Sequence, residues 1–309
     1  MQLRNNKVMN FFLITSICHV VCGLPTADSD DESDAIDLSA FGLKYGQPDM
    51  KTGELVKNWQ PTDGDGSNPE ELGSYMEGDI LFPMNHSTNS RNGMVSQSFR
   101  WPNAVIPYEI VGSFDPRSLN TIENAMNEYK KRTCINFRRR NANDRDYISI
   151  QNAQSGCWSS VGRAGGAQAL NLQSPACTTK VGTVLHEFMH AAGFLHEQNR
   201  EERDQYIDVV YPNIMRGYES NFIKAQKGQT SGFGVGYDYG SVMHYSANAF
   251  SANGQPTIRT KNKANIGQRD GFSQKDVQKL NNMYQCKRKS QKNATTTDMI
   301  MDMLGVGSN

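Results

Sequence analysis

Half of the six histidines of this 309-residue chain fall within eleven residues, in the segment HEFMHAAGFLHE at positions 186–197. His186 and His190 are four residues apart, so on an α-helix their imidazoles lie on one face and can hold the same metal ion. Gly193 favours a turn that ends the helix and brings His196 round as a third ligand. The chain must therefore fold so that a helix, a turn and a loop meet at one site.

Three imidazole ligands leave one coordination position open for water, which is the arrangement of catalytic rather than structural zinc. Zinc lowers the pKa of such a water to about 7, and Glu187, next to His186, can accept its proton. The alternative is an amphipathic helix with surface histidines. We favour one Zn²⁺ per chain, because a chance His-Glu-x-x-His occurs in only ~1% of such chains, and here Gly and His follow at the correct offsets.

The first 23 residues have the pattern of a secretory signal: basic residues, an apolar run over 8–21, and a small residue at the end. A membrane anchor needs about 18 or more clean apolar residues, whereas Asn10 and His19 interrupt this run. We therefore predict that residues 1–23 are removed and that the mature protein is secreted and extracellular.

Four cysteines remain after this segment, an even number in an oxidising compartment, so disulfides are expected. Four cysteines allow three connectivities, and their spacing does not choose among them. These residues are Cys134, Cys157, Cys177 and Cys286.

The formal net charge is zero, which gives no electrostatic basis for binding nucleic acid. The basic run at 138–140 is interpreted as a solvated loop or strand end. No later segment is predicted to anchor the chain in a membrane. Asn85 and Asn293 begin glycosylation acceptor sequences. No interaction module follows Cys286, and we expect a monomer.

Residues 24–68 are poor in core residues and rich in acidic and small ones, so we expect them to be mostly disordered. Ordered patterning begins near Trp101. Residues 105–110 are typical of a strand, and Pro107 indicates a sheet edge. Asp115 is a helix N-cap ahead of a proline.

Further along the chain, short strands are predicted around 135–137, 147–150 and 169–172, with a glycine-rich loop before the third. The helix that carries His186 begins after Thr179 and ends at Gly193. Residues 273–276 form a capping box ahead of a last helix.

The long form of the histidine segment, with Phe194, Glu197 and Arg200, resembles the astacins, one branch of the metzincin zinc peptidases. A second segment, SVMHY, is similar to the Met-turn of that family. The resemblance implies that Met243 lies beneath the zinc ion and that Tyr245 is an additional zinc ligand in the resting enzyme. It further implies that this tyrosine later donates its hydroxyl to the substrate oxyanion, where a phenol suits the developing charge.

The resemblance extends from about Tyr75 to Cys286. The segment from Cys157 to Arg163 is similar to a cysteine-rich loop of the family. Among the three connectivities, the resemblance implies the disulfides Cys134–Cys286 and Cys157–Cys177.

The resemblance also implies that an activating protease cuts near Arg91–Asn92. Asn92 is then the first residue of the mature enzyme, and its ammonium group binds Glu197. The other interpretation of Glu197 is as a hydrogen-bond partner of a ligand histidine.

Ahead of this junction, the segment MEGDI is similar to the inhibitory Phe-x-Gly-Asp motif of the family, with Met76 in place of the phenylalanine. Gly78 lets the backbone approach the cleft, and Asp79 is expected to bind zinc as an inhibitory ligand where water belongs. The alternative is a turn in a linker.

Arg269 lies just before the last helix, where the resemblance implies a residue that shapes the pocket for the side chain after the scissile bond. Family members similar to tolloid and meprin β have an arginine there and prefer acidic residues. A guanidinium group binds a carboxylate bidentately, which gives that preference a physical cause. The alternative is an exposed loop arginine.

Together these features predict an α+β fold of the metzincin/astacin type, with a twisted mixed sheet, helices above a cleft and an irregular lower half. We expect a signal peptide (1–23), a pro-segment (24–91), a catalytic domain (92–286) and a polar flexible tail (287–309). The implied protein is a secreted zinc endopeptidase, made latent, that acts on peptide or protein substrates.

Two other classes of protein fit the sequence less well. A binding protein on the same scaffold would have lost Glu187 or a ligand histidine, and all of these are present. A zinc hydrolase with a non-peptide substrate is disfavoured by the pro-segment that carries Asp79.

Overall fold

The computed structural model describes residues 48–61, 66–81, 96–228 and 230–287. The predicted signal peptide, the Arg91–Asn92 junction, Asn85, Asn293 and the tail beyond residue 287 lie outside these ranges. The helices are α1 (Met50–Asn58), α2 (Pro116–Arg132), α3 (Val181–Ala192) and α4 (Gln274–Met283). The strands are β1 (Val105–Ile110), β2 (Asn136–Arg139), β3 (Tyr147–Gln151), β4 (Cys157–Ser159), β5 (Ala167–Leu172), β6 (Ile207–Val209) and β7 (Ile258–Thr260).

Five strands form the main sheet in the order β2-β1-β3-β5-β4. The first four run parallel, and β4 closes one edge antiparallel to β5, with Trp158 opposite Asn171. The parallel strands carry apolar side chains such as Ile106, Ile148 and Leu170, all of which are buried. This mixed sheet with helices packed on it confirms the predicted α+β class.

Helices α2 and α3 cover the sheet because each has an apolar face. Asp115 caps α2 as predicted, accepting hydrogen bonds from the backbone amides of Arg117 and Ser118 at 2.9 and 3.0 Å. Ile122 and Tyr129 of α2 and Phe188 of α3 join the strand side chains in one buried cluster. That cluster holds α3, which carries the histidines, in a fixed position on the sheet.

The part of the domain after His196 contains little regular structure, as predicted. Its two strands, β6 and β7, pair antiparallel with Ile207 opposite Thr260. A second buried cluster holds this part together, and it includes Phe222, Tyr245 and Phe250. The aromatic side chains thus replace regular secondary structure as the source of rigidity around Tyr245.

Both disulfides join the pairs that the family resemblance implied. Cys134–Cys286 connects the segment after α2 to the end of α4, and Cys157–Cys177 connects β4 to the segment before α3. Each bond therefore ties an element that flanks the histidine helix to the rest of the domain.

The prediction that residues 24–68 are mostly disordered is wrong for the described part of this predicted pro-segment. Helix α1 begins after Asp49, whose carboxylate accepts a hydrogen bond from the Lys51 amide at 3.0 Å. Val56 is fully buried and Trp59 nearly so, both in the main cluster. The helix forms because the catalytic domain supplies the apolar surface that the acidic sequence around it lacks.

Two local predictions on the sheet are also wrong. Pro107 lies in β1, which has a neighbour on each side, so it does not mark an edge. The proline is tolerated because pairing with β3 starts only at Tyr108, after the residue that lacks an amide hydrogen. The stretch from Cys157, expected to be a loop, begins with the edge strand β4. Within the described ranges, no helix has the length and apolarity needed to span a bilayer.

Candidate metal centre and active site

Helix α3 presents His186 and His190 on one face, as their spacing predicts. The helix ends where Gly193 adopts φ +115°, a left-handed conformation that favours glycine. Its amide donates a hydrogen bond to the carbonyl oxygen of His190 at 2.8 Å. The chain then turns back, and the extended segment that follows brings His196 to the same point.

The three imidazoles converge on one buried point. The Nε2 atom of His186 lies 3.1 Å from Nε2 of His190 and 3.2 Å from Nε2 of His196. The carboxylate of Asp79 lies beside them, with Oδ2 2.9 Å from His186 Nε2. Ligand atoms of all four side chains fall within 4.8 Å of one another.

The hydrogen bonds of the outer imidazole nitrogens test whether this group fits a metal ion. Nδ1 of His186 lies 2.7 Å from the carbonyl oxygen of Val242, and Nδ1 of His190 lies 2.7 Å from that of Phe194. A carbonyl oxygen only accepts, so each Nδ1 carries the proton and each Nε2 directs a lone pair inwards. Several lone pairs that face one another without a proton between them fit a divalent cation.

Asp79 reaches this point from the predicted pro-segment, and its Oδ1 atom is buried without a hydrogen-bond partner in the described structure. Gly78, at φ +88°, lets the backbone pass so close to the domain that a Cβ there would lie 2.8 Å from the Phe250 ring. Burial opposes ionisation of Asp79, but when His196 and His190 are protonated their charge holds the pKa of its carboxyl well below the ordinary value, and a cation bound there instead would act in the same direction. The carboxylate is therefore the form present at neutral pH.

The pro-segment around Asp79 adds to the open edge of the main sheet. Ile80 pairs with Ser159 of β4 in parallel orientation. The Ser159 amide donates to the carbonyl oxygen of Asp79 at 2.9 Å, and the Leu81 amide donates to that of Ser159 at 3.1 Å. The backbone groups through which an extended peptide would bind to this edge are thus already used.

Glu187 lies next to His186 on α3 and is completely buried, yet neither of its carboxylate oxygens has a hydrogen-bond partner among the described residues. Burial raises the pKa of Glu187 well above its ordinary value, and the carboxylates of Asp79 and Glu70 raise it further. A buried carboxyl group with unused acceptors and a raised pKa is suited to take up a proton.

Met243 and Tyr245 belong to the predicted Met-turn, and both are buried. The carbonyl oxygen of Met243 accepts a hydrogen bond from the Glu197 amide at 3.0 Å. The ring of Tyr245 lies 4.6 Å from that of His196, but its hydroxyl donates to the carbonyl oxygen of Glu77 at 2.5 Å. The described structure therefore contains Tyr245 beside the histidines, bonded to the pro-segment.

Glu197 is buried and bonds to cationic side chains, not to a histidine. Its carboxylate accepts from Lys279 at 2.5 Å, from Arg200 at 3.0 Å and from the Asp238 amide at 2.8 Å. The interpretation of Glu197 as partner of a ligand histidine is therefore wrong. The predicted contact with the Asn92 ammonium lies outside the described residues.

Comparison with known proteins agrees with this geometry. The family model described as Astacin, a peptidase family, matches residues 93–285. The chain belongs to the astacin family.

Its relatives in this family include well-matched sequences and a solved structure. Zinc metalloproteinase nas-4 of Caenorhabditis elegans is 42% identical over 224 residues, which cover 70% of this chain and 70% of that protein. Meprin A subunit beta of Homo sapiens is 35% identical over 283 residues, 90% of this chain and 36% of that protein. High choriolytic enzyme 1, a hatching enzyme zinc-protease of the medaka Oryzias latipes, is 38% identical, with a TM-score of 0.58, over 62% of this chain and 97% of that one.

This astacin is therefore a zinc metalloendopeptidase, and its substrates are peptides or proteins. The predicted enzyme class is confirmed. The arrangement of the three imidazoles agrees with that class, because their inward lone pairs leave room for one ion.

Arg269 is completely buried, so the alternative of an exposed loop arginine is wrong. Its Nη1 atom donates to the carbonyl oxygens of His244 at 3.1 Å and Gln268 at 2.8 Å. Its Nε atom donates to the carboxylate of Glu70, in the pro-segment. The astacin fold thus brings Arg269 into contact with Glu70 of the predicted pro-segment.

Sequence reasoning missed several residues of the site. Glu77 bonds through a carboxylate oxygen to Nδ1 of His196 at 2.7 Å and through its carbonyl oxygen to Tyr245, although it lies inside the MEGDI segment. Lys279 was missed as well, but helical spacing could have found it. It lies three residues after Asp276 and four before Met283, on the buried face of α4.

Proposed function

We propose that this astacin is a secreted, latent endopeptidase whose pro-segment blocks the metal site through Asp79. In this proposal, residues 1–23 are the signal peptide, 24–91 the pro-segment, 92–286 the catalytic domain and 287–309 a polar tail. The observation that carries it is the insertion of the Asp79 carboxylate, from the pro-segment, among the three imidazole Nε2 atoms. A peptidase with this insertion is unable to admit water or substrate at the same point.

One Zn²⁺ per chain would be held by His186, His190 and His196, with Asp79 as a further ligand in the precursor. The ion supplies Lewis acidity and lowers the pKa of a water molecule towards neutrality. Each imidazole presents a lone pair because its Nδ1 atom donates to an acceptor outside the group. The alternative of a structural zinc site is disfavoured because the fourth ligand comes from a segment expected to leave.

Activation would consist of a cut near Arg91–Asn92 by another protease, followed by release of the pro-segment. The edge of β4 then becomes free to pair with an extended substrate. Glu187 accepts a proton from the attacking water and returns it to the leaving amine. The unused acceptor oxygens and raised pKa of Glu187 in the described structure support this role.

Tyr245 would have one role in the resting enzyme and another during turnover. Released from Glu77, its hydroxyl becomes free to approach the metal site in the resting enzyme. During turnover it donates a hydrogen bond to the oxygen of the scissile carbonyl, where negative charge develops. The short distance between its ring and that of His196 supports this role.

Arg269 would select substrates with Asp or Glu directly after the scissile bond. Its guanidinium group is buried near the metal site: after burial itself, its charge is the next cause that lowers the pKa of His186, and it partly opposes the rise in the pKa of Glu187. A carboxylate bound there is poorly screened by solvent, which strengthens the pair. In the precursor, the Glu70 carboxylate holds this position.

The proposal is tested with the activated enzyme and its Glu187→Ala variant. A zinc chelator should abolish peptide cleavage, and added zinc should restore it. Glu187→Ala should retain about one zinc per chain by metal analysis, because the histidines survive, and lose hydrolysis. Cleavage by Glu187→Ala at a rate near that of the wild type would contradict the mechanism.

A further inference from the structure

The pro-segment contains two consecutive acidic residues that are buried against the catalytic domain. Glu70 and Glu71 belong to a short 3₁₀ turn, Pro69–Leu72, and are 1% and 2% exposed. Buried carboxylates require partners, and those of this pair lie mostly in the catalytic domain.

Arg269 supplies the charged partner. Two backbone carbonyl oxygens hold its Nη1 atom, so the domain itself fixes the orientation of the guanidinium group. Its Nε atom donates to Glu70. Its Nη2 atom is buried without a hydrogen bond in the described structure, 3.9 Å from a carboxylate oxygen of Glu71. The edge formed by Nε and Nη2, which binds carboxylates bidentately, thus faces the pro-segment.

Ser246 supplies the second half of the site. Its amide and its hydroxyl each donate to the Glu71 carboxylate at 2.6 Å. The same carboxylate accepts from the backbone amide and the side-chain amide of Asn68, each at 3.1 Å. Four neutral donors bind the Glu71 carboxylate, and the guanidinium group donates to Glu70 while its Nη2 atom lies 3.9 Å from Glu71. The domain therefore binds two neighbouring carboxylates at two adjacent positions.

We propose that Arg269 and Ser246 form a site for two consecutive acidic residues, which Glu70 and Glu71 occupy in the precursor. The pro-segment then has a second anchor, separate from Asp79. After activation the site takes two consecutive acidic residues of a substrate. This inference rests on the proposed function in two respects: the pro-segment leaves the activated enzyme, and Arg269 binds the residue directly after the scissile bond.

The anchor is tested first in the full-length, zinc-loaded precursor carrying Glu187→Ala, which prevents self-processing. Glu70→Gln with Glu71→Gln should accelerate backbone hydrogen exchange over residues 66–74 by about 10–100-fold, the scale of a lost charge-assisted bond. Exchange over residues 105–151 should not change. Glu54→Gln is the matched control, because Glu54 is an exposed acid of the same segment that pairs only with Lys57 in the described structure. If hydrogen exchange over residues 66–74 is equally fast in the Glu70→Gln, Glu71→Gln variant and in the Glu54→Gln control, the proposed anchor is overturned.

A second measurement changes an added peptide and keeps the wild-type enzyme, so its main comparison does not depend on how a variant folds. A synthetic peptide of residues 66–81 should inhibit the activated wild-type enzyme about 10–100-fold more strongly than the same peptide with Gln at 70 and 71. Arg269→Ala enzyme should distinguish the two peptides much less. Equal inhibition of the wild-type enzyme by both peptides would refute the site.

The substrate half of the inference is tested with peptides that have Glu-Glu, Glu-Gln or Gln-Gln after the scissile bond. The second glutamate should increase kcat/KM by about tenfold over Glu-Gln, and Ser246→Ala should reduce that increase. If the second glutamate does not increase kcat/KM, the substrate half of the proposal is overturned and the site binds only the pro-segment. The exchange experiment needs no peptidase activity, so failure of the proposed function and failure of this site remain distinguishable.

Discussion

The hydroxyl of Tyr245 donates a hydrogen bond of 2.5 Å to the carbonyl oxygen of Glu77. The carboxylate of the same glutamate lies 2.7 Å from Nδ1 of His196. One residue of the pro-segment therefore contacts a proposed oxyanion donor and a proposed zinc ligand at once. Asp79, two residues later, reaches the three imidazoles. In the proposed precursor, latency would therefore involve both the metal ligands and the group that would stabilise the transition state.

Tyr245→Phe in the activated enzyme should lower kcat by about 10²–10³-fold, the usual effect of losing one oxyanion donor. The ring is retained, so its packing against Phe222 and Phe250 should survive. Steady-state kinetics on one peptide, with zinc content measured alongside, provide the test. An unchanged kcat would make Tyr245 a packing residue only.

Asp79→Ala in the full-length precursor should raise activity before the Arg91–Asn92 bond is cut, or hasten self-processing. We expect an increase of about 10–100-fold, because a charged ligand is lost from the metal site. Electrophoresis sampled with the activity assay separates the two routes. Glu54→Gln serves as the control in the same segment. Full latency in Asp79→Ala would show that the pro-segment blocks the cleft by bulk and by its pairing with β4.

Arg269→Ala should relax the preference for Asp or Glu directly after the cut by about 1–3 kcal/mol in kcat/KM, the scale of a charge-assisted pair. Cleavage profiles of a peptide library with both enzymes provide the measurement. Because the guanidinium group is buried, high salt should weaken the preference of the wild type only slightly. A wild-type profile without acidic enrichment at that position would contradict the proposed pocket.

Lys279→Met should destabilise the domain by about 3–5 kcal/mol, because among the described residues it leaves the buried Glu197 carboxylate with Arg200 as its sole charged partner. Denaturant unfolding of the precursor measures this loss. Lys131→Met is the control, since Lys131 forms an exposed pair with Glu128 at 3.6 Å. A loss as small as that of the control would mean that Arg200 alone neutralises Glu197.

Asp115→Asn should change how the thermal stability of the protein depends on pH. Hydrogen bonds to its carboxylate, that from the Ser118 side chain first, lower the pKa of Asp115 to about 2 from an ordinary value of 3.8. Because the pKa of Asp115 is lower in the folded than in the unfolded state, its ionisation stabilises the fold above about pH 4. This contribution to the free energy of unfolding is lost as the pH falls through about 2. The difference in Tm between wild type and variant should therefore be constant above about pH 5 and vanish only below about pH 2. A difference that persists at that acid limit would contradict the role of ionisation.

Much of the catalytic centre was determined by the sequence because its signals are local. His186 and His190 are one helical turn apart, and Gly193 ends the helix where the third ligand must turn back. The N-cap of α2 and the capping box of α4 are equally local, and both formed as predicted. Such features depend on backbone geometry over a few residues, and the identities of those residues are enough to predict it.

The tertiary structure alone decided which distant groups meet these residues. Glu71 and Ser246 are 175 positions apart, and Glu197 and Lys279 are 82 apart. Pro107 was assigned to an edge because its missing amide hydrogen is local, whereas the register of β1 with β3 is not. Helix α1 likewise forms through apolar contacts with the catalytic domain, which its own acidic surroundings do not indicate. Partners of buried charges and neighbours of strands are set by how the whole chain packs, and no short segment encodes that packing.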